Sequence, residues 1–157
     1  RWAPSACKTT FRAAIARRRC LVPADGYFEW KAPVGAGAPT GAGGRPRKQP
    51  YYIHRADGSA LAMAGIFEFW RAEPDSDEWV VTVAVLTTAA AGPIAEIHDR
   101  MPLLVAPADW AAWLDPAARA PSDLVPASVD LLATYPVSTE VNSVRSNSAA
   151  LIRPLGG

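Results

Sequence analysis

Apolar and polar positions alternate along this chain with a period that changes from helical to extended near residue 20. Phe11, Ala14 and Ile15 recur at helical spacing behind Thr9-Thr10, so a short helix is expected from a threonine cap through Arg19. Arg12, Arg17, Arg18 and Arg19 then fall on the other faces and in the last turn, where the helix dipole favours cations. Cys20 to Pro23 reads as a buried strand, and Ala24-Asp25-Gly26 as a turn in which glycine supplies unusual backbone angles. Tyr27 to Lys31 is a second strand. Alternation puts Phe28 and Trp30 on one face and Tyr27, Glu29 and Lys31 on the other. Two large aromatics seek the core, so Glu29 is expected to point into a cleft or solvent.

Residues 32–50 are rich in Gly, Pro and Ala and read as a flexible hairpin insertion. It ends in Arg45-Pro46-Arg47-Lys48, either a plain solvated loop or a basic end that brushes a nucleic-acid backbone. Tyr51 to His54, an Asp57-Gly58 turn and Leu61 to Trp70 form a hairpin with a long second strand. Trp79 to Leu86 is the most hydrophobic strand and is expected at the centre of the sheet. A short helix follows Gly92-Pro93, then a polar loop at His98-Asp99-Arg100, then a strand from Met101 to Val105. Pro107 to Leu114 starts a helix with proline in its first turn, burying Trp110 and Trp113. Leu131 to Val137 is a last strand. The sum is an α+β domain: a twisted, mostly antiparallel sheet with a barrel-like core and a few short helices.

Length makes the chain, residues 1–157, a single domain, and half of its residues are apolar, enough for a packed core. The run from Val80 to Ala91 is too short and too rich in threonine to span a bilayer as a helix, so no membrane partner is expected. Cys7 and Cys20 are too few for a disulfide framework. Two histidines without Cys-x-x-Cys spacing argue against zinc, and no cofactor is expected. A reducing cytoplasm is the expected compartment, with nucleoid association and a monomeric state. Charge is distributed unevenly. Residues 1–55 carry eleven Lys and Arg against two acids, and residues 56–157 five Arg against thirteen acids. That is either a surface facing a polyanion or two halves that interleave into ordinary ion pairs.

Two segments carry candidate chemistry. Glu29 lies inside Arg17-Arg18-Arg19-Cys20-Leu21-Val22-Pro23-Ala24-Asp25-Gly26-Tyr27-Phe28-Glu29-Trp30, and His98 inside Glu96-Ile97-His98-Asp99-Arg100-Met101-Pro102. A carboxylate and an imidazole are the usual pair for moving protons near neutral pH. Flanking aromatics that exclude water would lift Glu29 above its ordinary value of about 4.3. The bland alternatives are a strand glutamate paired with Lys31 or an arginine, and a structural histidine. Asp99 is not assigned to orient His98, because adjacent side chains in extended chain point apart. Arg100 can take a phosphate bidentately or pair with Asp99 or Glu96. The Arg17–Arg19 run is a solvated helix end or a backbone-contact patch. Trp30 reads as core before stacking platform, and His54 as surface structure.

Together the two segments resemble the signatures of the SOS response-associated peptidase (SRAP) family of abasic-site processing proteins, in the family's order, and Val137-Ser138-Thr139-Glu140-Val141-Asn142 resembles its C-terminal signature. The resemblance covers roughly residues 8 to 155, apart from the stretch after Lys31. It implies a fold and an activity: an N-terminal cysteine whose amine and thiol close a thiazolidine on the aldehyde of an abasic site in single-stranded DNA. Such an amine is partly neutral at pH 7. By resemblance, Glu29 transfers the proton that opens the sugar and dehydrates the carbinolamine, and His98 supports ring closure and reversal. Arg100 and Thr87 hold the flanking phosphates, with Arg1, Arg17, Arg18 and Arg19 as further DNA contacts. The family's peptidase name refers to removal of the residue ahead of its cysteine.

The family opens with Met-Cys-Gly-Arg and carries Asn-Ala-Arg ahead of the helix that ends in Arg-Arg-Cys. This chain has neither in full, and Arg1 falls where the second motif's arginine belongs. The expectation is an N-terminally truncated member that lacks the nucleophile and cannot itself form the crosslink. The rival class is a non-catalytic single-stranded nucleic-acid-binding module, separable by its indifference to an abasic site. A generic hydrolase ranks last, since no Gly-x-Ser-x-Gly elbow or third orienting group is present.

Overall fold

Residues 11–33, 44, 47–118 and 127–156 are described by the computed structural model. Arg1, Cys7, the Thr9-Thr10 cap and most of the 32–50 insertion lie outside the described residues. In chain order come helix α1 (Arg12–Arg17) and strands β1 (Arg19–Ala24), β2 (Gly26–Lys31), β3 (Gln49–Arg55), β4 (Leu61–Trp70), β5 (Val80–Val85), β6 (Thr87–Ala89) and β7 (Arg100–Pro102). Helix α2 (Trp110–Leu114) and strand β8 (Leu132–Pro136) follow. The architecture is α+β, with antiparallel sheets and short helices. Among the described residues the sheets stay open and do not close into a barrel. No helix of the described residues is long and apolar enough to cross a membrane. The chain gathers into two compact units. The first is Arg1–Ala24, Leu61–Thr88 and Pro102–Ser128; the second is Asp25–Ala60, Ala89–Met101 and Val129–Gly157.

The first unit is built on the antiparallel sheet β1-β4-β5. Its core joins Ala14 and Ile15 of α1, Ala64 and Ile66 of β4, Leu103, Val105 and Trp113 of α2. Trp113 is fully buried, and its indole donates to the Cys20 carbonyl at 2.8 Å. Gly65 stands opposite Cys20, and a Cβ there would meet the Cys20 Sγ at 2.9 Å, so only glycine lets β1 and β4 carry that thiol between them. Burial pushes the Cys20 thiol up and keeps it protonated.

Three expectations are corrected in this unit. The first concerns Arg19. Helix α1 stops at Arg17 instead of reaching Arg19, because Arg18 already leaves helical angles (φ −126, ψ 57). Arg19 opens β1 and is 6% exposed. Its Nε donates to Trp113 O, one terminal nitrogen to Ile15 O and Ala16 O, and the other to Asp115 O and Ala118 O. A guanidinium has five N–H donors, and all five are spent on backbone carbonyls at the ends of α1 and α2. Arg19 is therefore a structural clasp with no donor left for a DNA phosphate.

The second concerns β5, which is an edge strand exposed at all six positions rather than the buried centre. Its apolar residues fit the pleat, but among the described residues its outer edge meets no strand. The third concerns Trp110, which is half-exposed with its indole donating to Val105 O at 3.0 Å; only Trp113 is buried.

The second unit is built on the antiparallel sheet β2-β3-β8. One face carries an aromatic row across the strands: Phe28 lies 5.4 Å from Tyr52, and Tyr52 5.8 Å from Tyr135. His54 stacks on Tyr52 at 5.4 Å and is thus tied into that row. Gly26 does not sit at a positive φ; its reason is close approach, since a Cβ there would lie 2.5 Å from the Tyr52 ring. The opposite face carries Tyr27 across from fully buried Ile53, and Glu29 across from Tyr51. Neither face of β2 is the core face: every residue of the strand is half-buried.

Candidate active site

Glu29 and His98 are distant in sequence and come together within the second unit. Glu29 is fixed by strand β2, whose pairing with β3 sets which face it occupies. His98 follows a 3-10 turn, Gly92–Glu96, that buries Ile94 and begins with a glycine at φ +54. The backbone N–H of His98 donates to Ile94 O at 3.0 Å, which anchors the loop to that turn. The result places His98 Nε2 3.9 Å from Glu29 Oε1.

That gap is too long for a direct hydrogen bond. It is short enough for one oxygen off the line to lie about 2.8 Å from both atoms, the normal hydrogen-bond length. The other imidazole nitrogen is held from behind: the Arg100 N–H donates to Nδ1 at 3.1 Å, and Asp99 Oδ1 lies 3.2 Å from it. Nδ1 also lies 3.2 Å from the Arg100 carbonyl oxygen, so it has both a donor and acceptors at hand and either neutral tautomer is satisfied, leaving Nε2 to face Glu29 as donor or acceptor. Asp99 thus does reach His98, because the loop turns at this point and lets neighbouring side chains converge. Glu29 is 24% exposed and His98 40%, so the pair is open to a substrate and not sealed from water as the flanking aromatics suggested. The Trp30 N–H donates to Glu29 Oε1 at 3.3 Å.

Tyr27, two residues before Glu29 on the same face, carries no signal in the sequence beyond its alternation. Its hydroxyl is buried with no hydrogen-bond partner among the described residues. Burial, with the Glu29 carboxylate beside it, pushes its phenol well above the ordinary range, so it is a neutral donor at every working pH. Lys31, next on that face, lies 3.8 Å from Glu96. Trp30 turns its indole to Asn142 Oδ1 at 2.7 Å, which ties β2 to the 3-10 turn Thr139–Asn142 and makes it neither core nor stacking platform.

Arg100 is exposed at the start of β7, two residues beyond His98. The other expected DNA contacts belong to the first unit. Thr87 is exposed in β6 and Arg17 at the end of α1. Arg18 donates to Glu68 at 2.5 Å, so its charge is met by a carboxylate. Among the described residues no three His, Cys, Asp or Glu side chains are grouped to hold a metal.

Residues 4–144 match the model of the SOS response associated peptidase (SRAP) family. The chain belongs to that family. Its SRAP relatives include the abasic site processing proteins YoaM of Bacillus subtilis, 32% identical over 92% of this chain and 60% of the relative, and YedK of Escherichia coli, 30% identical over 96% and 64%. The HMCES abasic site processing protein of Gallus gallus is 31% identical over 94% of the chain and 47% of its own length. The SRAP chain described here thus spans about three fifths of the bacterial relatives it matches. A crystal structure from Bacteroides thetaiotaomicron superposes with a TM-score of 0.73 at 27% identity, covering 94% of this chain and 61% of that one.

Proposed function

We propose that this SRAP protein acts on abasic sites in single-stranded DNA, with Glu29 and His98 handling the protons of a covalent adduct at the sugar aldehyde. The observation that carries the reading is the 3.9 Å approach of His98 Nε2 to Glu29 Oε1 in an open site, flanked by an exposed Arg100. An abasic deoxyribose exists mostly as a closed ring. Opening it moves one proton from the anomeric hydroxyl to the ring oxygen, a task for one group that accepts and another that donates. An amine then adds to the aldehyde carbon; loss of water from the carbinolamine gives an imine, and a thiol closing on that carbon gives a thiazolidine. Glu29 carries the proton to the departing oxygen, and His98 manages the proton of the thiol on closure and reversal. The nucleophile in this scheme is an N-terminal cysteine of the kind that opens the family's sequences. Arg100 offers its guanidinium to the phosphate beside the lesion.

The test uses the protein carrying such an N-terminal cysteine, mixed with single strands that hold an aldehydic abasic site, its tetrahydrofuran analogue, or no lesion. A heat-stable shifted band on a denaturing gel is expected with the aldehyde alone. Glu29→Gln is expected to slow its appearance by about 10²–10⁴-fold, the usual contribution of a positioned acid or base. Equal bands with the tetrahydrofuran strand, or unchanged rates in both Glu29→Gln and His98→Ala, sink the assignment.

A further inference from the structure

The sequence leaves one basic element unabsorbed by this chemistry, the stretch that ends in Arg47-Lys48. In the second unit Arg47 and Lys48 line a cleft of about 430 Å³ with Lys31, Gln49 and Thr139. We propose that this cleft binds the phosphodiester backbone of a single strand beside the reacting nucleotide, with Lys31, Arg47 and Lys48 as the phosphate ligands. The proposal rests on the reading of Glu29 and His98 as a DNA-lesion site and extends it to the neighbouring nucleotide.

Four observations support it. Lys31 shares the β2 face of Glu29 two residues along, about 6.6 Å at the usual strand rise, so a chain molecule held at Glu29 passes Lys31 next. The register pairs Lys31 with Gln49, which brings Arg47 and Lys48 to the same end of the sheet. Three cations and no acid stand among the described residues that line the cleft; the nearby carboxylates outside it are Glu96, 3.8 Å from Lys31, Glu29 on the same β2 face and Glu140 next to Thr139. Finally, the wall is braced. Arg47 donates to Thr139 Oγ1 at 2.7 Å, Gln49 Nε2 donates to Val137 O at 2.9 Å, and the turn that carries Thr139 is tied back to β2 through Trp30 and Asn142. A cationic wall fixed in this way loses less side-chain entropy on binding than a loose lysine patch. Its size suits a sugar-phosphate unit rather than a lone ion.

The experiment is fluorescence anisotropy of the full chain with a labelled oligothymidylate across a salt series, for the native protein, Lys31→Gln, and the double variant Arg47→Gln/Lys48→Gln. Removing one cation that neutralises a phosphate lowers the slope of log affinity against log salt by about 0.7 for a single strand. The expected drop is therefore about 0.7 for Lys31→Gln and about 0.7–1.4 for the double variant. Arg71→Gln, an equal loss of charge on the Trp79 ring in the first unit, is expected to leave the slope unchanged. A slope unaltered in both cleft variants, or lowered equally by Arg71→Gln, overturns the proposal. So does competition by an oligo-aspartate as effective as unlabelled DNA, which reassigns the cleft to acidic peptides. These readings use an undamaged strand. Failure of the cleft is thus separable from failure of the lesion chemistry, which shows instead as no preference for the abasic strand.

Discussion

The two three-stranded sheets end in edge strands of opposite character. In the first unit β5, Val80–Val85, is almost wholly apolar and exposed at every position. In the second, β2 carries a glutamate and a lysine among aromatics, yet each of its residues is half-buried. Hydrophobicity and burial have parted company. A residue's oil-to-water preference is a property of its side chain, whereas burial requires a neighbour to cover it. Around β2 the cover is visible: the Gly92–Glu96 turn and His98 stand at its Glu29 face, and the Phe28–Tyr52–Tyr135 row fills the other. For β5, an open surface at Phe69, Trp79 and Val81 remains.

The strongest way to sharpen this contrast is inside the first unit itself. Trp113→Ala empties the centre of its core and removes the indole donor to Cys20, and is expected to cost about 3–5 kcal/mol. The urea midpoint would fall with the slope of the transition unchanged; a loss under about 1 kcal/mol would mean that the core relaxes around the void.

In the second unit the corresponding probe is pH. The folded state holds Tyr27 above its unfolded value of about 10 by burial and by the Glu29 charge. The unfolded chain therefore releases that proton first, and stability present below pH 10 is lost as pH rises beyond it, by at most about 1.4 kcal/mol per pH unit for one proton. Burial also pushes Tyr52 up, with the same sign. Tyr27→Phe is expected to flatten the alkaline fall in urea-melt stability between pH 9 and 11, and an unchanged fall assigns the effect elsewhere.

The smallest effect belongs to β5. Val81→Thr and Val83→Thr keep the β-branched shape and add a hydroxyl already in water, so each is expected within about 0.5 kcal/mol of the native chain. A cost above about 1 kcal/mol in a chemical melt would show that these valines are covered in solution and would erase the difference between the edges.

What could be read in advance divides along the same line. Most strand positions and the alternation along β2 follow from local periodicity and agree with the structure. The expected hairpin across Asp57-Gly58 does not, because the turn hands the chain from one sheet to the other, with β3 paired to β2 and β8 and β4 paired to β1 and β5. Glu29 and His98 stood out because a polar group inside an apolar signature is rare. Local patterns fail where the deciding partner is remote. Arg19 reads as one more cation in a basic run, yet the carbonyls of Trp113 in α2 and of Asp115 and Ala118 just after it claim three of its donors. Val80–Val85 reads as a sheet centre because only topology says what lies beside it. The Asp99–His98 contact and the buried Tyr27 hydroxyl depend on loop geometry that composition does not carry.

Gly26 has a consequence for how the site can fail. The Tyr52 ring lies over the one position of β2 that has no Cβ, so the strand can dock beside β3 in one alignment only. Sliding by a single residue would drive a side chain into that ring and rotate Phe28 or Trp30 into the place of Glu29. Damage to this hairpin should therefore act as a switch rather than a dial: a molecule either presents its carboxylate to the imidazole or presents an aromatic ring in its place.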